Sequence, residues 1–188
     1  AAGMIDAHPA LQASSPQAPV TDYYLGDDSY HNGAFMLAAN FGFYANFVER
    51  KGAPEPPQDR TRFNYKTPDG YEFFLRMGPL YMADEKYLKG TSAFWSRQIE
   101  HPNYDEYWKS RSIWKYFRDI KPNVLTVGGW FDAEDLAGPL RVYETVEKSN
   151  PAGYNGIVMG PWTHGSWART PGDRVGNLHF ASKTAEYY

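Results

Sequence analysis

The last third of the chain alternates between short apolar segments and one segment with helical periodicity. Residues 124–127 and 157–159 are apolar and rich in β-branched side chains, which is typical of buried strands. Between them, apolar positions in residues 137–148 recur at a helical spacing. This order predicts a strand, a helix and a second strand, joined by a right-handed crossover in a parallel sheet.

Helical patterns dominate the middle of the chain. Apolar positions three and four apart predict an amphipathic helix over residues 34–51. Residues 80–99, with a break near Gly90, and residues 103–117 also read as helical. A proline-rich break covers residues 54–57, and residues 60–74, which contain a Pro-Asp-Gly turn signal, are predicted to be irregular or hairpin-like. The middle of the chain is therefore expected to be mainly helical.

The beginning of the chain, like its end, combines a predicted helix with a predicted strand. Residues 1–7 are rich in helix-forming residues, and residues 11–20 read as a short strand that runs into a loop. We therefore predict an α/β fold with its scaffold over residues 1–25 and 121–188, and a mainly helical cap inserted over residues 26–120. Insertions over the carboxyl ends of strands commonly shape a pocket.

Composition narrows the range of partners. A formal net charge of -3 over 188 residues lacks the basic excess of nucleic-acid-binding proteins, so no nucleic acid is expected. No apolar run approaches the ~18–20 residues that cross a bilayer, so no membrane partner is expected either. The absence of cysteine excludes disulfides, thiolate metal sites and a cysteine nucleophile, and it leaves the cellular compartment open.

Each of the two predicted strands near the end of the chain runs into a glycine-containing loop with one ionisable residue. The first loop is Gly-Gly-Trp-Phe-Asp, which ends at Asp132, and the second is Gly-Pro-Trp-Thr-His-Gly, which contains His164. Asp132 alone would suit a helix cap, although Glu134 and Asp135 are better placed for capping, and a loop histidine is most often a surface residue. An acid after one strand and a histidine after the next match the last two members of an α/β-hydrolase triad. We therefore predict that Asp132 and His164 are catalytic.

These two motifs, and the run Gly-Asp-Asp-Ser-Tyr-His-Asn-Gly-Ala-Phe at residues 26–35, resemble those of the CocE/NonD and X-Pro dipeptidyl-peptidase-like serine hydrolases. Within that group the chain is most similar to α-amino acid ester hydrolases and to glutaryl-7-aminocephalosporanic-acid acylases. The resemblance covers nearly the whole chain and implies an α/β-hydrolase fold with a largely helical cap. It also implies that Asp132 is the triad acid and that His164 is the general base.

The resemblance implies that the chain is a fragment of such an enzyme. The family's nucleophile lies on a Gly-x-Ser-Tyr-x-Gly turn, and no Gly-x-Ser-x-Gly sequence occurs in the 188 residues. The resemblance implies that the nucleophile lies before Ala1 and that a jelly-roll domain follows Tyr188; the chain also has no initiator methionine, so its start is expected to be a cleavage boundary or an arbitrary one. The parent is then a serine hydrolase or acylase that cleaves ester or amide bonds through an acyl-enzyme, and the fragment itself is expected to be inactive.

Several side chains near the motifs are candidates for the substrate pocket. Trp130 and Trp162 flank the predicted catalytic residues, and they would either wall an acyl pocket or pack against the cap. His31 is a further polar candidate, with a hydrogen bond to its own turn as the alternative. In the amino-ester relatives a carboxylate cluster holds the α-ammonium group of the substrate, whereas solvated or capping acids are the alternative here. The candidate acids are Asp27, Asp28, Asp105, Glu106 and Glu134.

The sequence leaves the substrate open. α-Amino esters and β-lactam side chains, glutaryl amides and X-Pro peptides all fit a small-molecule or short-peptide hydrolase. Acyl transfer through a serine triad needs no cofactor, and we predict no structural metal. From a different class, the aromatic content of 17% would also suit a non-catalytic module that binds a ligand or a protein. An exposed sheet edge would allow a homo-oligomer or self-association of the fragment.

Overall fold

The computed structural model of the protein describes residues 1–47, 52, 62–150 and 153–188. The helices are α1 (Leu37–Asn46), α2 (Gly70–Met77), α3 (Ala93–Glu100), α4 (Glu106–Lys109) and α5 (Ala137–Ser149). The strands are β1 (Ala13–Ser14), β2 (Tyr30–His31), β3 (Ala34–Phe35), β4 (Asn123–Gly129), β5 (Asn155–Gly160), β6 (Arg174–Val175) and β7 (Leu178–His179). None of the described helices is both long and apolar enough to span a bilayer.

The described residues fall into two units. The first consists of Ala1–Ala34 together with Glu106–Tyr188, and the second consists of Phe35–Asp105. The first unit contains the parallel sheet and α5, and the second contains α1, α2 and α3. An insertion of helices into an α/β scaffold was predicted from the change of periodicity along the chain.

The first unit is built on a three-stranded parallel sheet in the order β1–β4–β5. β4 and β5 pair from Val124 opposite Asn155 to Gly129 opposite Gly160. The α5 helix joins the two strands and packs against both. This confirms the predicted strand–helix–strand unit. Because the strands are parallel and end at the same level, the loops that follow them leave the same edge of the sheet.

The main core of the first unit joins α5 to β4. Val142 and Val146 lie four residues apart on one face of α5 and are buried together with Val124 of β4. Met4, Phe117 and Ile120 complete this cluster. A second buried cluster contains Ala18, Val127, Trp162 and Trp167.

The second unit has an aromatic core around Phe41 of α1, which is fully buried. Four other rings have centroids 5.2 to 5.8 Å from that of Phe41 and meet it in tilted or edge-on geometry, namely Phe63, Phe73, Phe74 and Trp95. These five aromatic residues are therefore used for internal packing.

Residues 62–69 are irregular, which is one of the two predicted alternatives, but the prediction is wrong from Gly70 onward because α2 begins there. The Oδ1 of Asp69 accepts the N–H groups of Tyr71 and Glu72, at 2.9 and 3.3 Å. The Pro-Asp-Gly sequence is thus the start of a helix with an aspartate cap, and not a hairpin turn. Residues 60–61 of this prediction, the break at 54–57 and the end of the predicted helix at 48–51 lie outside the described residues.

The segment 103–117 does not form one continuous helix. It contains α4 and a separate 3-10 turn, Ile113–Tyr116. Between the two, the hydroxyl of Ser112 donates to the carboxylate of Asp22 at 2.5 Å. Ser112 thus makes a tertiary hydrogen bond at the point where one continuous helix would have run through it, and the helix is interrupted there.

Two other predicted helices are also shorter than their patterns suggested. Residues 1–7 form only the 3-10 turn Ala2–Met4. Residues 80–99 are divided between a π-helical turn, Asp84–Leu88, and α3. The break that the sequence predicts near Gly90 is confirmed, because Lys89 and Gly90 have φ values of 50° and 75°, in the left-handed region.

Both flanks of the predicted cap, up to Ala34 and from Glu106 onward, group with the sheet and not with the helical unit. Tertiary contacts explain the difference. Asp27 accepts the N–H of Gly138 at the start of α5, at 2.7 Å, and Phe117 is part of the main core of the first unit.

Candidate active site at the ends of β4 and β5

The loop after β4 is joined to the loop after β5 by backbone hydrogen bonds. The N–H of Trp130 donates to the carbonyl of Gly160 at 2.9 Å, and the N–H of Phe131 donates to the carbonyl of Trp162 at 3.0 Å. A Cβ atom on Gly129 would lie 2.1 Å from the carbonyl oxygen of Trp162. The glycine at the end of β4 therefore permits the two loops to approach each other closely.

His164 lies in a tight turn after β5. Gly165 has a φ of 67°, which favours glycine, and the N–H of Thr163 donates to the hydroxyl of Ser166 at 3.0 Å. The guanidinium of Arg169 donates to the carbonyl oxygen of His164. The backbone of His164 is thus held in place, while its side chain is 44% exposed.

The side chains of Asp132 and His164 form a hydrogen bond. The Oδ2 of Asp132 lies 3.0 Å from the Nδ1 of His164, and the Asp132 side chain is fully buried. The other oxygen, Oδ1, accepts the N–H groups of Glu134 and Asp135, both at 2.9 Å. One oxygen therefore caps its own loop, and the other bonds to the imidazole. Asp132 thus makes the contacts of a capping residue and also those expected of a triad acid.

Hydrogen bonding determines the protonation of this pair. Burial acts to raise the pKa of Asp132, but the hydrogen bonds from His164 and from the backbone of Asp135 and Glu134 lower the pKa below its ordinary value. The hydrogen bond to Asp132 outweighs burial and, with the nearby negative charges, raises the pKa of His164 to about 9. Because Asp132 is ionised, Nδ1 carries a proton, and Nε2 is the atom that exchanges one.

Three further acids lie beside this pair, and we call Asp28, Glu134 and Asp135 the acid cluster. The Oε2 of Glu134 and the Oδ2 of Asp135 lie 3.7 and 3.6 Å from the Nδ1 of His164. The N–H of Asp28 donates to the Oδ1 of Asp135 at 3.3 Å, and the side chains of these two residues are also hydrogen-bonded. The cluster concentrates negative charge next to the imidazole, where it would attract a cation.

Burial and mutual repulsion raise the pKa values of two acids in the cluster. Burial, followed by the charges of Glu134 and Asp27, raises the pKa of Asp28 to about 6. Burial, followed by the charges of Asp28 and Asp27, raises the pKa of Asp135 to about 8. The two carboxyls are therefore expected to titrate as a coupled pair.

Asp27 was predicted to line the substrate pocket, but it lies in the protein interior. Its side chain is fully buried, and its Oδ2 accepts the N–H and the hydroxyl of Thr21 and the N–H of Asp22, at 2.9 to 3.1 Å. Its Oδ1 accepts the N–H of Gly138. These protein donors occupy both oxygens, so the prediction that Asp27 contacts substrate is wrong.

The two tryptophans of the motifs have different positions. Trp162 is 2% exposed, its indole N–H donates to the hydroxyl of Thr184 at 2.8 Å, and its ring centroid lies 5.8 Å from that of Trp167. Trp162 is therefore a core residue of its own unit, and its predicted place on a pocket wall is wrong. Trp130 is 54% exposed and lies two residues before Asp132, so it stays a candidate for contact with substrate.

The remaining predicted polar residues are placed as follows. The Nε2 of His31 lies 3.1 Å from the carbonyl oxygen of Glu134, so His31 contacts the Asp132 loop and not only its own turn. Asp105 lies 2.7 Å from the Nδ1 of His101, and Glu106 begins α4. These two acids have other local roles, and neither belongs to the acid cluster as defined above.

Asp135 is the member of the acid cluster that sequence reasoning missed, because it was read only as a helix-capping residue. The signal was its spacing: three acids within four residues, at 132, 134 and 135, follow directly on the glycine-rich end of a strand. Capping by the first acid folds the other two back toward His164. In the part of the chain that the structure describes, no group of three or more histidine and acidic side chains is arranged to hold a metal ion.

A parallel sheet with an acid after one strand and a histidine after the next is the arrangement of an α/β-hydrolase. Similar solved structures are of this type. The chain superimposes on an aminopeptidase from the marine sediment archaeon Thaumarchaeota archaeon with a TM-score of 0.84 and 30% identity, covering 98% of this chain and 30% of that one. It superimposes on an α-amino acid ester hydrolase labelled with selenomethionine with a TM-score of 0.82 and 27% identity, covering 98% of this chain and 29% of that one.

Within this class, residues 2–166 match the X-Pro dipeptidyl-peptidase (S15 family), and the chain belongs to that family. The resemblance drawn from the loop motifs is thereby confirmed. Over 76 residues the chain is 29% identical to the cocaine esterase of Rhodococcus sp. (strain MB1 Bresler), which covers 40% of this chain and 12% of the esterase. The chain thus spans less than a third of the length of these relatives.

Proposed function

We propose that Asp132 and His164 are the acid and the general base of a serine hydrolase that cleaves ester or amide bonds through an acyl-enzyme. The 3.0 Å hydrogen bond between Asp132 Oδ2 and His164 Nδ1 carries this proposal. In such a triad the serine attacks the carbonyl carbon, and Nε2 of the neutral form of His164 takes the hydroxyl proton and returns it to the leaving group. Asp132 keeps the proton on Nδ1 and stabilises the imidazolium.

The assembled pair favours an enzyme over a non-catalytic binding module. A module that used only its aromatic residues would have no need for a fully buried acid bonded to a half-exposed histidine. The membership of the S15 family supports the same choice.

We propose further that the 188 residues do not hydrolyse substrate by themselves. They contain no Gly-x-Ser-x-Gly turn, so the Asp132–His164 pair has no serine of this kind to activate. Loss of the nucleophile is among the most severe lesions of a triad.

The acid cluster supports a substrate with a free α-ammonium group. An ammonium group beside Glu134 and Asp135 would approach carboxyl oxygens that lie 3.6 to 3.7 Å from the Nδ1 of His164. The carboxylate of a glutaryl group would be repelled at the same place. α-Amino esters and peptides with an unblocked N-terminus are therefore the favoured substrates among the three classes, in line with the names of the two solved relatives.

The test uses a chimera. In a longer family member that carries a Gly-x-Ser-x-Gly turn, the segment that superimposes on the 188 residues is replaced by them. We expect this chimera to hydrolyse alanine p-nitroanilide or alanine methyl ester. His164→Ala and Asp132→Asn should each lower kcat by roughly 10⁴, as in other triads. His179→Ala, a change to an exposed histidine of β7, is the matched control and should leave kcat unchanged.

Three results would each contradict one part of the proposal. A folded chimera whose turnover survives His164→Ala would exclude His164 as the general base. Turnover by the isolated 188-residue chain that an active-site phosphonate blocks would overturn its proposed inactivity. A chimera that hydrolyses acetyl-alanine methyl ester as well as alanine methyl ester would reject the ammonium-binding role of the acid cluster alone.

A further inference from the structure

Asp27 is a fully buried carboxylate that the proposed reaction does not use. Its four hydrogen bonds, described above, come from Thr21, Asp22 and Gly138, and the nearest guanidinium, that of Arg141, lies 3.9 Å from Oδ2. A buried carboxylate is costly unless hydrogen bonds or opposite charges compensate it. Here the compensation comes from two segments that are distant in sequence, so the carboxylate links them.

The first segment is the turn at residues 21–27, and the second is the start of α5. Gly138 makes the link possible, since a Cβ atom there would lie 1.7 Å from the carbonyl oxygen of Pro19 and 3.2 Å from the Oδ1 of Asp27. The absence of a side chain lets the backbone N–H of the helix reach the buried carboxylate at 2.7 Å.

A second link joins the same two segments one residue further along. Asp28 follows Asp27 with a φ of 43°, an uncommon conformation for a residue other than glycine. Its N–H donates to Asp135, which lies three residues before Gly138. Adjacent residues of the turn thus bind to adjacent parts of the loop that leads into α5: Asp27 to Gly138, and Asp28 to Asp135.

We infer that Asp27 is a positioning residue for the acid cluster: by binding the start of α5, it holds Asp28 beside Asp135. The identity of the ligand, an α-ammonium group, rests on the proposed function, whereas the positioning itself rests on the contacts above. Asp27 would never touch the substrate, yet it would determine how tightly the substrate amine binds.

The charge of Asp27 contributes as well. It is one of the causes that raise the pKa of Asp28 and of Asp135. The groups that face these two carboxyls are Asp27, Glu134, His164 and the phenol of Tyr23. The removal of Asp27 is therefore expected to lower both pKa values as well as to loosen the geometry.

The test compares Asp27→Asn with Asp22→Asn in the 188-residue chain. An amide at position 27 turns one NH₂ group toward backbone or hydroxyl donors, so at least one link is lost. Asp22 is the matched control because it is equally buried and accepts the N–H groups of Tyr24 and Leu25, the hydroxyl of Ser112 and the indole N–H of Trp114. If Asp27 had only a structural role, Asp27→Asn and Asp22→Asn would have the same effect on the acid cluster.

Two readouts are followed: the titration of the Asp28 and Asp135 side-chain carbons by NMR, and the binding of alaninamide as an amine probe. In the unsubstituted chain we expect the two carboxyls to titrate as a coupled pair. Asp27→Asn should abolish the coupling and weaken alaninamide binding about tenfold, while His164 keeps its raised pKa. Asp22→Asn should change neither readout.

Thr21→Val serves if Asp27→Asn does not fold. It removes the hydroxyl that donates to Asp27 at 2.9 Å and accepts from the guanidinium of Arg141 at 3.1 Å, and it should weaken alaninamide binding about threefold. The inference is overturned if folded Asp27→Asn keeps the coupled titration and the affinity, or if Asp22→Asn alters them as much. If the unsubstituted chain binds no alaninamide but Asp27→Asn still uncouples the two carboxyls, the ammonium site fails and the positioning role stands.

Discussion

The Oδ2 of Asp132 lies 3.0 Å from the Nδ1 of His164, although 32 residues separate the two in the chain. The register of the sheet creates this contact, because Gly129 and Gly160 are paired at the ends of β4 and β5. Each strand then continues into a short loop, and backbone hydrogen bonds hold the loops together. The geometry of the pair is therefore a property of the scaffold and not of flexible side chains.

Asp132→Asn should lower the pKa of His164 from about 9 toward its ordinary value of 6.5. The change removes the negative charge that stabilises the imidazolium, although Glu134 and Asp135 stay nearby and keep the pKa somewhat above 6.5. NMR titration of the His164 ring protons measures the effect. Glu134→Gln is the control with a smaller expected decrease, because Oε2 lies 3.7 Å from Nδ1 and is not hydrogen-bonded to it. An unchanged pKa in Asp132→Asn would show that the pair is not formed in solution.

The fold should become less stable as the pH rises from 6 to 9. The pKa of His164 is raised from 6.5 to about 9, so its stabilisation is complete below pH 6.5 and is lost between pH 6.5 and 9. Asp135 has its pKa raised to about 8, so its ionisation in a buried site also disfavours the folded state as the pH rises toward 8. Because His164 is 44% exposed, we expect only about 1 kcal/mol from it, which is a decrease in Tm of about 2–4 °C.

Calorimetry at pH 6 and pH 9 measures this pH dependence. His164→Ala should remove the part that falls between pH 6.5 and 9, and leave the part due to Asp135. A Tm that increases between pH 6 and 9 would contradict the assigned directions of both pKa shifts.

The elements around the pair could be predicted from the sequence because their signals are local. The β-branched segments and the glycines that follow them identify β4 and β5, and the order of the two loops identifies the pair. The start of α2 was missed because a Pro-Asp-Gly sequence fits both a turn and a helix cap, and only the donors at Tyr71 and Glu72 distinguish the two.

The roles of Asp27 and Asp28 could not be separated from the sequence. The two residues are identical neighbours, yet one is fully buried and the other joins the acid cluster. Their partners, Gly138 and Asp135, lie 111 and 107 residues further along the chain. Only the tertiary structure decides which carboxylate meets which donor.

Gly129→Ala should destabilise the first unit by about 2–3 kcal/mol. The added methyl group would lie 2.1 Å from the carbonyl oxygen of Trp162, so the two loops would have to move apart. Urea unfolding measures the free energy, and the NMR signals of His164 report the loss of its bond to Asp132. Gly70→Ala is the matched control, because no atom lies within 4 Å of a Cβ at that position. Equal stability of the two variants would show that the loops are not in close contact.

Trp162 and Trp130 occupy corresponding places in the two loop motifs, but their substitution should have opposite consequences. Trp162→Ala should cost about 3–5 kcal/mol of unfolding free energy, because the side chain is 2% exposed and its indole N–H is bonded to Thr184. Trp130→Ala should change the stability by no more than about 0.5 kcal/mol, since 54% of that residue is exposed. Urea unfolding of both variants makes the comparison, and Trp162→Phe, which keeps most of the apolar volume, should recover more than half of the loss. If Trp130→Ala proved the more destabilising of the two, the assignment of Trp162 to the core and of Trp130 to the exposed loop would be reversed.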